Sequence, residues 1–349
     1  MSGPKESAAS LLEVHDLSVH FGEAQRARWS WWHTERSLLR AVDGVSLSVG
    51  KGEIVGLVGE SGSGKTTLGR AILGMYPIAG GEVLFAGSDV SRMSRNDRRL
   101  LRRRMQMIPQ DAAASLSPRF SVSQLLTEAY DISGTAPAAR KPTSELLSMV
   151  ELGHEHANKY PHELSGGQAR RVSIARALAM GPDFIVADEP TAGLDVSAVA
   201  TIVNLLMRLR TDLGLSYLVI THDLQVVAYL ADVIAVMYLG KIVEIGRAED
   251  IIDSPKHPYT RSLLHSISGR AAAERAMFEL KGEVPNPLTP PSGCRFHPRC
   301  SFARPLCRTQ EPLRTECGKN HETACHFWNK IEATLDPANG RINSKENTP

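Results

Sequence analysis

An α/β fold built around a mostly parallel sheet is predicted by three features of this 349-residue chain. Short apolar runs of strand character alternate with segments of helical spacing, the arrangement that yields parallel strands. One such run, Ile54–Val58, leads into a glycine-rich loop and then a helical stretch. Another, Asp183–Ala187, ends on an acidic pair.

At roughly 150 residues per domain, the length corresponds to two domains. An apolar share of 42% sustains a packed core and excludes collagen-like, low-complexity and wholly disordered chains. The 40 Lys and Arg nearly cancel the 38 Asp and Glu, so there is no overall field for nucleic acid or anionic lipid. No apolar run reaches the length of a membrane span, and the opening MSGPKESAAS has no apolar signal core. A cytoplasmic protein is expected.

The elements follow in chain order. Leu12–Phe21 alternates apolar and polar residues like a half-buried strand. Residues 22–39 break that pattern with Trp29, Trp31 and Trp32 and read as an insertion loop, packed on its own domain or contacting a partner. Val42–Val49 is a strand, Ile54–Val58 a short buried strand, and a helix runs from the glycine-rich loop to about Met75. Glu82–Phe85 and Met105–Ile108 are strands, separated by seven Arg between positions 92 and 104. That basic run reads as a solvated helix face, with a nucleic-acid patch as the alternative. Residues 120–175 look helical, with breaks at prolines 137–142 and 161. Val196–Leu213 has helical apolar spacing and stops at Gly214. Ser216–Ile220 and Val233–Tyr238 are strands. Beyond residue 255 the composition shifts toward Pro, Arg and Cys, marking a boundary, and the last ten residues are polar and expected to be disordered.

Three strings carry chemistry. Gly59-Glu60-Ser61-Gly62-Ser63-Gly64-Lys65-Thr66 fits G-x-x-x-x-G-K-[ST], with a strand before it and a helix after it. Its glycines let backbone N–H groups turn toward phosphate oxygens at a helix N-terminus. Lys65 can reach the β- and γ-phosphates, and the Thr66 hydroxyl can hold Mg²⁺. Asp188-Glu189 stands at the tip of a buried strand, with Asp188 suited to Mg²⁺ and Glu189 to polarising a water. Leu164-Ser165-Gly166-Gly167-Gln168 is a helix start in which Ser165 and Gln168 have capping-box spacing.

Together these residues resemble the nucleotide-binding subunits of ABC transporters. LSGGQ at 164–168 is similar to the family signature, and Asp188-Glu189 to the Walker B end. Gln110 matches the Q-loop, Ala192-Gly193-Leu194-Asp195 the D-loop, and His222 the switch histidine. The resemblance covers roughly residues 11–250. It implies a P-loop NTPase (RecA-like) core with an inserted helical subdomain at about 93–175, in a nucleotide-binding domain spanning 1–255. It implies a head-to-tail dimer in which each ATP meets one subunit's Gly59–Thr67 segment and the other's Ser165–Gln168 and Asp195. Phe21 falls where the family stacks an aromatic on adenine. Gln110 would reach Mg²⁺ beside Thr66 and Asp188, with Glu189, His222 and Lys65 carrying hydrolysis. Ala169 and Ala192-Gly193 depart from the commoner family residues but remove no group the chemistry needs.

The tail has a narrower resemblance. His257-Pro258-Tyr259-Thr260, Gly282-Glu283-Val284-Pro285 and the run from Pro290 to Cys300 resemble the dipeptide/oligopeptide (and nickel) permease ATPases. That implies a small Cys-containing extension over 256–349, two membrane-spanning permease partners, an extracytoplasmic substrate-binding protein, and a peripheral place at the inner membrane. All five Cys lie in this tail, at 294, 300, 307, 317 and 325. The family's four sites match Cys294, Cys300, Cys307 and Cys325 and imply a [4Fe–4S] cluster. Zn²⁺ is one alternative, with His321 or His326 able to complete it, and no metal at all is the other; Cys317 is left over. Two other readings stand beside the transporter ATPase. One is a soluble ABC ATPase acting on nucleic acid or ribosomes, supported by the Arg run alone. The other is a regulatory nucleotide-binding module without turnover, which Glu189 and His222 count against.

Overall fold

A computed structural model of the chain describes residues 10–22, 38–265, 278, 280 and 282–335. The tryptophans of the 22–39 loop and the last ten residues lie outside the described residues.

Two sheets organise the first part of the chain. β1 (Ser10–Phe21) and β2 (Leu39–Gly50) pair antiparallel, and β4 (Gly80–Phe85) and β5 (Ser88–Asp89) extend them in the order β2-β1-β4-β5. The alternation in β1 buries Leu12, Val14, Leu17 and Val19 on one face. Between β2 and β4 come β3 (Ile54–Val58) and α1 (Lys65–Ile72); after β5 come α2 (Arg95–Arg104) and β6 (Met105–Ile108). A helical region then includes α3 (Ala112–Ser115), α4 (Val122–Ser133), α5 (Thr143–Met149) and α6 (Gly166–Ala179). The core closes with β7 (Phe184–Asp188), α7 (Val196–Leu213), β8 (Ser216–Thr221), α8 (Leu224–Leu230), β9 (Val233–Tyr238) and β10 (Lys241–Arg247).

The second sheet runs β6-β7-β8-β3-β9 in parallel. Every residue of β3, β7 and β8 is buried, as expected of parallel strands covered on both faces. Gly56 in β3 makes room for α8: a Cβ there would lie 2.2 Å from Val227 Cγ1. Elsewhere the expectation of a mostly parallel sheet needs correcting. β1, β2, β4 and β5 form their own antiparallel sheet, and β10 turns back antiparallel on β9. Alternation identifies a half-buried strand but carries no information on its partner.

The Arg-rich run forms α2, capped by Ser94, whose hydroxyl accepts from the Asp97 N–H at 3.2 Å. Leu101 points into the core while Arg98, Arg99 and Arg102 are exposed, as a solvated helix face requires. Leu125, Leu126, Leu146, Leu147 and Val172 bring α4, α5 and α6 into one apolar cluster that also includes Leu205 and Leu209 of α7.

The tail is tied to the core sheet. After α9 (Ala248–Asp253) and α10 (Pro258–His265), the chain returns as β11 (Thr315–Gly318) and β12 (His321–Thr323). β12 pairs antiparallel with β10, placing Thr323 opposite Glu244. Glu244 is wholly buried. Its carboxylate accepts the Lys256 and His257 N–H groups at 2.6 and 2.9 Å and meets His321 Nε2 at 2.8 Å. Phe296 packs among Tyr238 and Tyr259, with ring centroids 5.3 Å from each.

Removing one member of a buried pair strands the other without compensation. Glu244→Ala should therefore lower unfolding stability by about 3–5 kcal/mol. Glu244→Gln, which keeps an acceptor oxygen, should lose less. Denaturant melts of the two variants check the order.

Candidate active site

Three neighbouring strand ends define the site. Val58 of β3 lies opposite Thr221 of β8, and Asp188 of β7 opposite Ile220. The loop after β3, the acidic pair after β7 and the His222 turn after β8 thus leave the sheet at one edge. A cavity of about 750 Å³ lies there, lined by Phe21, Gly59, Glu60, Ser61, Gly62, Gly64, Lys65, Thr66, Thr67, Gln110, Glu189 and His222 among others.

The glycine-rich loop takes its path because two glycines touch backbone. Gly59 has φ +155° and a Cβ there would meet the Met237 carbonyl at 2.1 Å; Gly64 has φ +104° and would meet the Ala41 carbonyl at 2.1 Å. Neither position admits a side chain. Ser63 is buried behind the loop, and its carbonyl accepts the Gly240 N–H at 2.8 Å.

Lys65 folds back on the loop, donating to the Gly59 carbonyl at 2.7 Å and the Glu60 carbonyl at 2.9 Å. Burial lowers its pKa, while the charges of Glu189, Asp188 and Glu60 oppose that shift. Thr66 Oγ1 donates to Asp188 Oδ1 at 3.0 Å. Asp188 is 1% exposed, and its Oδ2 is buried with no hydrogen-bond partner. Burial raises its pKa. An open buried carboxylate oxygen beside a threonine hydroxyl is a hard-oxygen donor set that fits Mg²⁺.

Glu189 follows with φ +47°, in the left-handed region that a non-glycine residue occupies only under constraint. The constraint is visible. Its N–H donates to the Ile220 carbonyl at 2.8 Å, Thr221 Oγ1 donates to its Oε2 at 3.1 Å, and His222 Nδ1 lies 2.8 Å from its Oε1. The carboxylate is fixed at the cavity wall, with His222 largely exposed above it. Phe21 stands at the rim, edge-on to Tyr76 at 5.3 Å.

The structure does not bring Ser165, Gly166, Gly167, Gln168 and Asp195 to this cavity. Ser165 caps α6, and its capping box with Gln168 is formed. Asp195 caps α7, accepting from the Ala198 N–H at 2.9 Å. Both caps face solvent. Hydrogen bonds to Ser197 and the backbone hold the Asp195 carboxyl below its usual range.

Sequence reasoning missed several residues here. Arg170 on α6 is 4% exposed and donates to the Pro109 carbonyl at 2.7 Å and the Ala192 carbonyl at 3.4 Å. It joins the segments carrying Gln110 and Asp195 to one helix. Arg40, Leu239, Leu263 and Pro287 also line the cavity, and no local motif marks them.

The cysteines form a second grouping. Cys294, Cys300, Cys307 and Cys325 line one small cavity of about 20 Å³, with His297 and His326. Cys317 stands apart on β11, its thiol donating to the His321 carbonyl at 3.3 Å. His321 is engaged with Glu244, and His326 Nε2 lies 3.0 Å from the Gln310 carbonyl. Burial pushes the Cys294 thiol up to about 11 and those of Cys300 and Cys325 to about 12, so all three are protonated at neutral pH. Among the described residues, no three or more His, Cys, Asp and Glu side chains are grouped to hold a metal ion. No helix among them is long and apolar enough to cross a membrane.

Comparison with known proteins agrees with this geometry. The ABC transporter family pattern matches residues 42–192, and that of the oligopeptide/dipeptide transporter C-terminal region matches residues 243–307. A putative peptide import ATP-binding protein of Brucella abortus is 45% identical over 320 residues, spanning 90% of this chain and 97% of the relative. The oligopeptide transport ATP-binding protein AppF of Bacillus subtilis is 41% identical, spanning 91% and 98%. For OppF of Escherichia coli the values are 39%, 93% and 98%. A dimeric bacterial ABC transporter cassette superposes with a TM-score of 0.58 at 26% identity, covering 68% of this chain and 98% of its own. The chain belongs to the ATP-binding subunits of ABC transporters, in the group carrying the oligopeptide/dipeptide C-terminal region, and is an ATPase.

Proposed function

We propose that this ATPase powers import of peptides or related solutes from the cytoplasmic face of the cell membrane. It would work as a 1–255 cassette with a 256–349 extension, paired with a second ATPase subunit beneath two membrane-spanning permease subunits. An extracytoplasmic binding protein would deliver the solute. The observation that carries the solute class is the match of residues 243–307 to the oligopeptide/dipeptide C-terminal region.

The residues divide the work. The triphosphate lies along the Gly59–Thr67 segment, where Lys65 exchanges loop carbonyls for phosphate oxygens. Phe21 offers its ring to the adenine. Thr66 and Asp188, with Gln110 alongside, would hold Mg²⁺, which supplies charge neutralisation at the phosphates. Glu189 takes a proton from the attacking water, and His222 fixes the carboxylate that does so. Ser165–Gln168 and Asp195 are presented to the partner subunit. Their absence from their own cavity supports a site completed in trans, and the partner's helix start supplies N–H groups to the phosphates. Arg170 links that helix to the Gln110 segment, so closure at one is felt at the other.

Cys294, Cys300, Cys307 and Cys325 would hold a [4Fe–4S] cluster as a structural staple. Their common cavity and the separation of Cys317 support this assignment. His321, bound to Glu244, is not available to complete a zinc site.

Glu189→Gln keeps the side-chain shape and one acceptor oxygen and removes the base. Hydrolysis should fall at least about 100-fold while ATP binding persists, trapping an ATP-bound dimer. Phosphate release and size-exclusion chromatography check both. Lys65→Ala should weaken nucleotide binding itself by about 10- to 100-fold, the loss of a charge-assisted contact.

Ser165→Arg should leave ATP affinity of the isolated subunit nearly unchanged and block hydrolysis in the assembled transporter. A large affinity loss in the isolated variant would contradict a site completed in trans.

Protein purified without oxygen should be brown, with about four iron and four labile sulfide per chain. Cys325→Ser should lower the iron content and Cys317→Ser should not. Stoichiometric zinc without iron would keep the staple and overturn the cluster.

A further inference from the structure

The phosphate loop is gripped from outside by the extension. Glu60, the second residue of that loop, is held at both ends. Its backbone N–H donates to the Tyr259 hydroxyl at 2.8 Å. Its carboxylate receives both arms of the Arg299 guanidinium, at 2.6 and 3.0 Å. The Glu60 carbonyl in turn accepts from Lys65 Nζ at 2.9 Å and the Ser63 N–H at 3.2 Å. Two side chains from beyond residue 255 thus act on the residue that shapes the resting position of Lys65.

Arg299 is itself fixed. It is 6% exposed, and its guanidinium lies 5.9 Å from the Tyr238 ring centre. It ends the short turn His297–Arg299, between Cys294 and Cys300. In the same segment, Arg295 donates to the Leu239 carbonyl and to Asp43. The Leu239–Gly240 turn lines the cavity, and its Gly240 N–H holds the Ser63 carbonyl.

Charge decides what this grip does. Glu60 lines the cavity that receives a triphosphate. An unpaired carboxylate there would repel the ligand, and a fork-to-fork arginine pair offsets that charge while fixing its direction. We propose that Arg299 is a positioning residue for nucleotide binding, acting through Glu60 with Tyr259 as its second anchor, so that the extension sets the ATP affinity of the phosphate loop. The inference rests on nucleotide binding at that loop, and the experiment separates the two.

The test measures binding of a non-hydrolysable ATP analogue to the full-length chain by calorimetry, with folding checked by thermal melts. Arg299→Ala should weaken binding about ten-fold, with the loss appearing in KM for ATP rather than in kcat. The same substitution in a Glu60→Gln background should cost less than about three-fold, because the charge that Arg299 offsets is already gone. Tyr259→Phe, which removes only the hydroxyl acceptor, should weaken binding by about three-fold. Binding by Arg299→Ala within two-fold of the parent, or an equal loss in both backgrounds, would overturn the proposal. Should Arg299→Ala not fold, Arg299→Lys keeps the charge and loses the fork. A loss confined to the Glu60 background then supports the proposal, and equal losses overturn it. An unsubstituted chain that fails to bind the analogue would instead bring down the nucleotide site itself.

Discussion

The in-register pairing of β7, β8 and β3 is the constraint on which the site depends. Parallel strands bring their C-terminal ends to one edge, and the register here sets Asp188, Ile220–Thr221 and Val58 level with one another. A slip of one residue would exchange the two faces of a strand, burying what should be presented. The strands resist that slip because they are apolar on both faces and each is covered by helices. Glu189 is the first residue past the pairing, and its left-handed backbone turns the carboxylate back toward β8. The strain is local and is offset by three hydrogen bonds to that strand and its following turn.

The edge so formed gathers acidic groups in a place meant for a polyanion. Glu60, Asp188 and Glu189 all approach Lys65 closely enough to shift its titration. Each carboxylate has its own answer. Glu60 is paired by Arg299, Glu189 is held by Thr221 and His222, and Asp188 keeps one oxygen open beside Thr66. The open oxygen is the one the proposed Mg²⁺ would use. The arrangement therefore leaves Lys65 satisfied by loop carbonyls when no nucleotide is present, and ready to exchange them for phosphate.

Much of this was legible in the chain. Ile54–Val58, Met105–Ile108, Val196–Leu213 and Val233–Tyr238 have the predicted bounds, because their apolar runs end on Gly, on polar residues or on charge. The capping box at Ser165 was readable for the same reason: it is local. Illegible were the partners of strands and every contact made across long sequence separation. Nothing in Leu39–Gly50 announces a separate antiparallel sheet, and Lys241–Arg247, Thr315–Gly318 and His321–Thr323 are too short or too polar to stand out. The sequence places Glu60 in the nucleotide-binding segment but carries no local mark of its pairing with Arg299, 239 residues away. Arg170 is silent in the sequence for the same reason: its targets are backbone carbonyls, which carry no sequence signal.

The seam between core and extension is written largely in ionic pairs, and buried ion pairs are weak evidence of net stability. Their arrangement is informative in another way. Glu60 with Arg299 and Asp43 with Arg295 set a core carboxylate against an extension guanidinium, Glu244 of the core meets the His321 ring of the extension, and Lys241 with Glu311 runs the other way. Apolar contact adds mainly the Phe296 cluster. A core lacking its extension would therefore leave Glu60 and the wholly buried Glu244 without these partners, while Asp43 would keep Lys241 at 3.7 Å. Such a core is worse off than one that never had the pairs, because the desolvation remains when the attraction is gone. The compositional boundary near residue 255 consequently marks a change in chain character and not a place where the protein can be divided without loss. The four thiols reinforce the point. Burial keeps the Cys294, Cys300 and Cys325 thiols protonated, so they add little attraction to the seam, and a metal bound by the four cysteines would tie the turn bearing Arg295 and Arg299 to Cys307 and Cys325. Under the proposed staple, order in the extension and order in the phosphate loop would rise and fall together, because Arg299, in the turn between Cys294 and Cys300, holds Glu60.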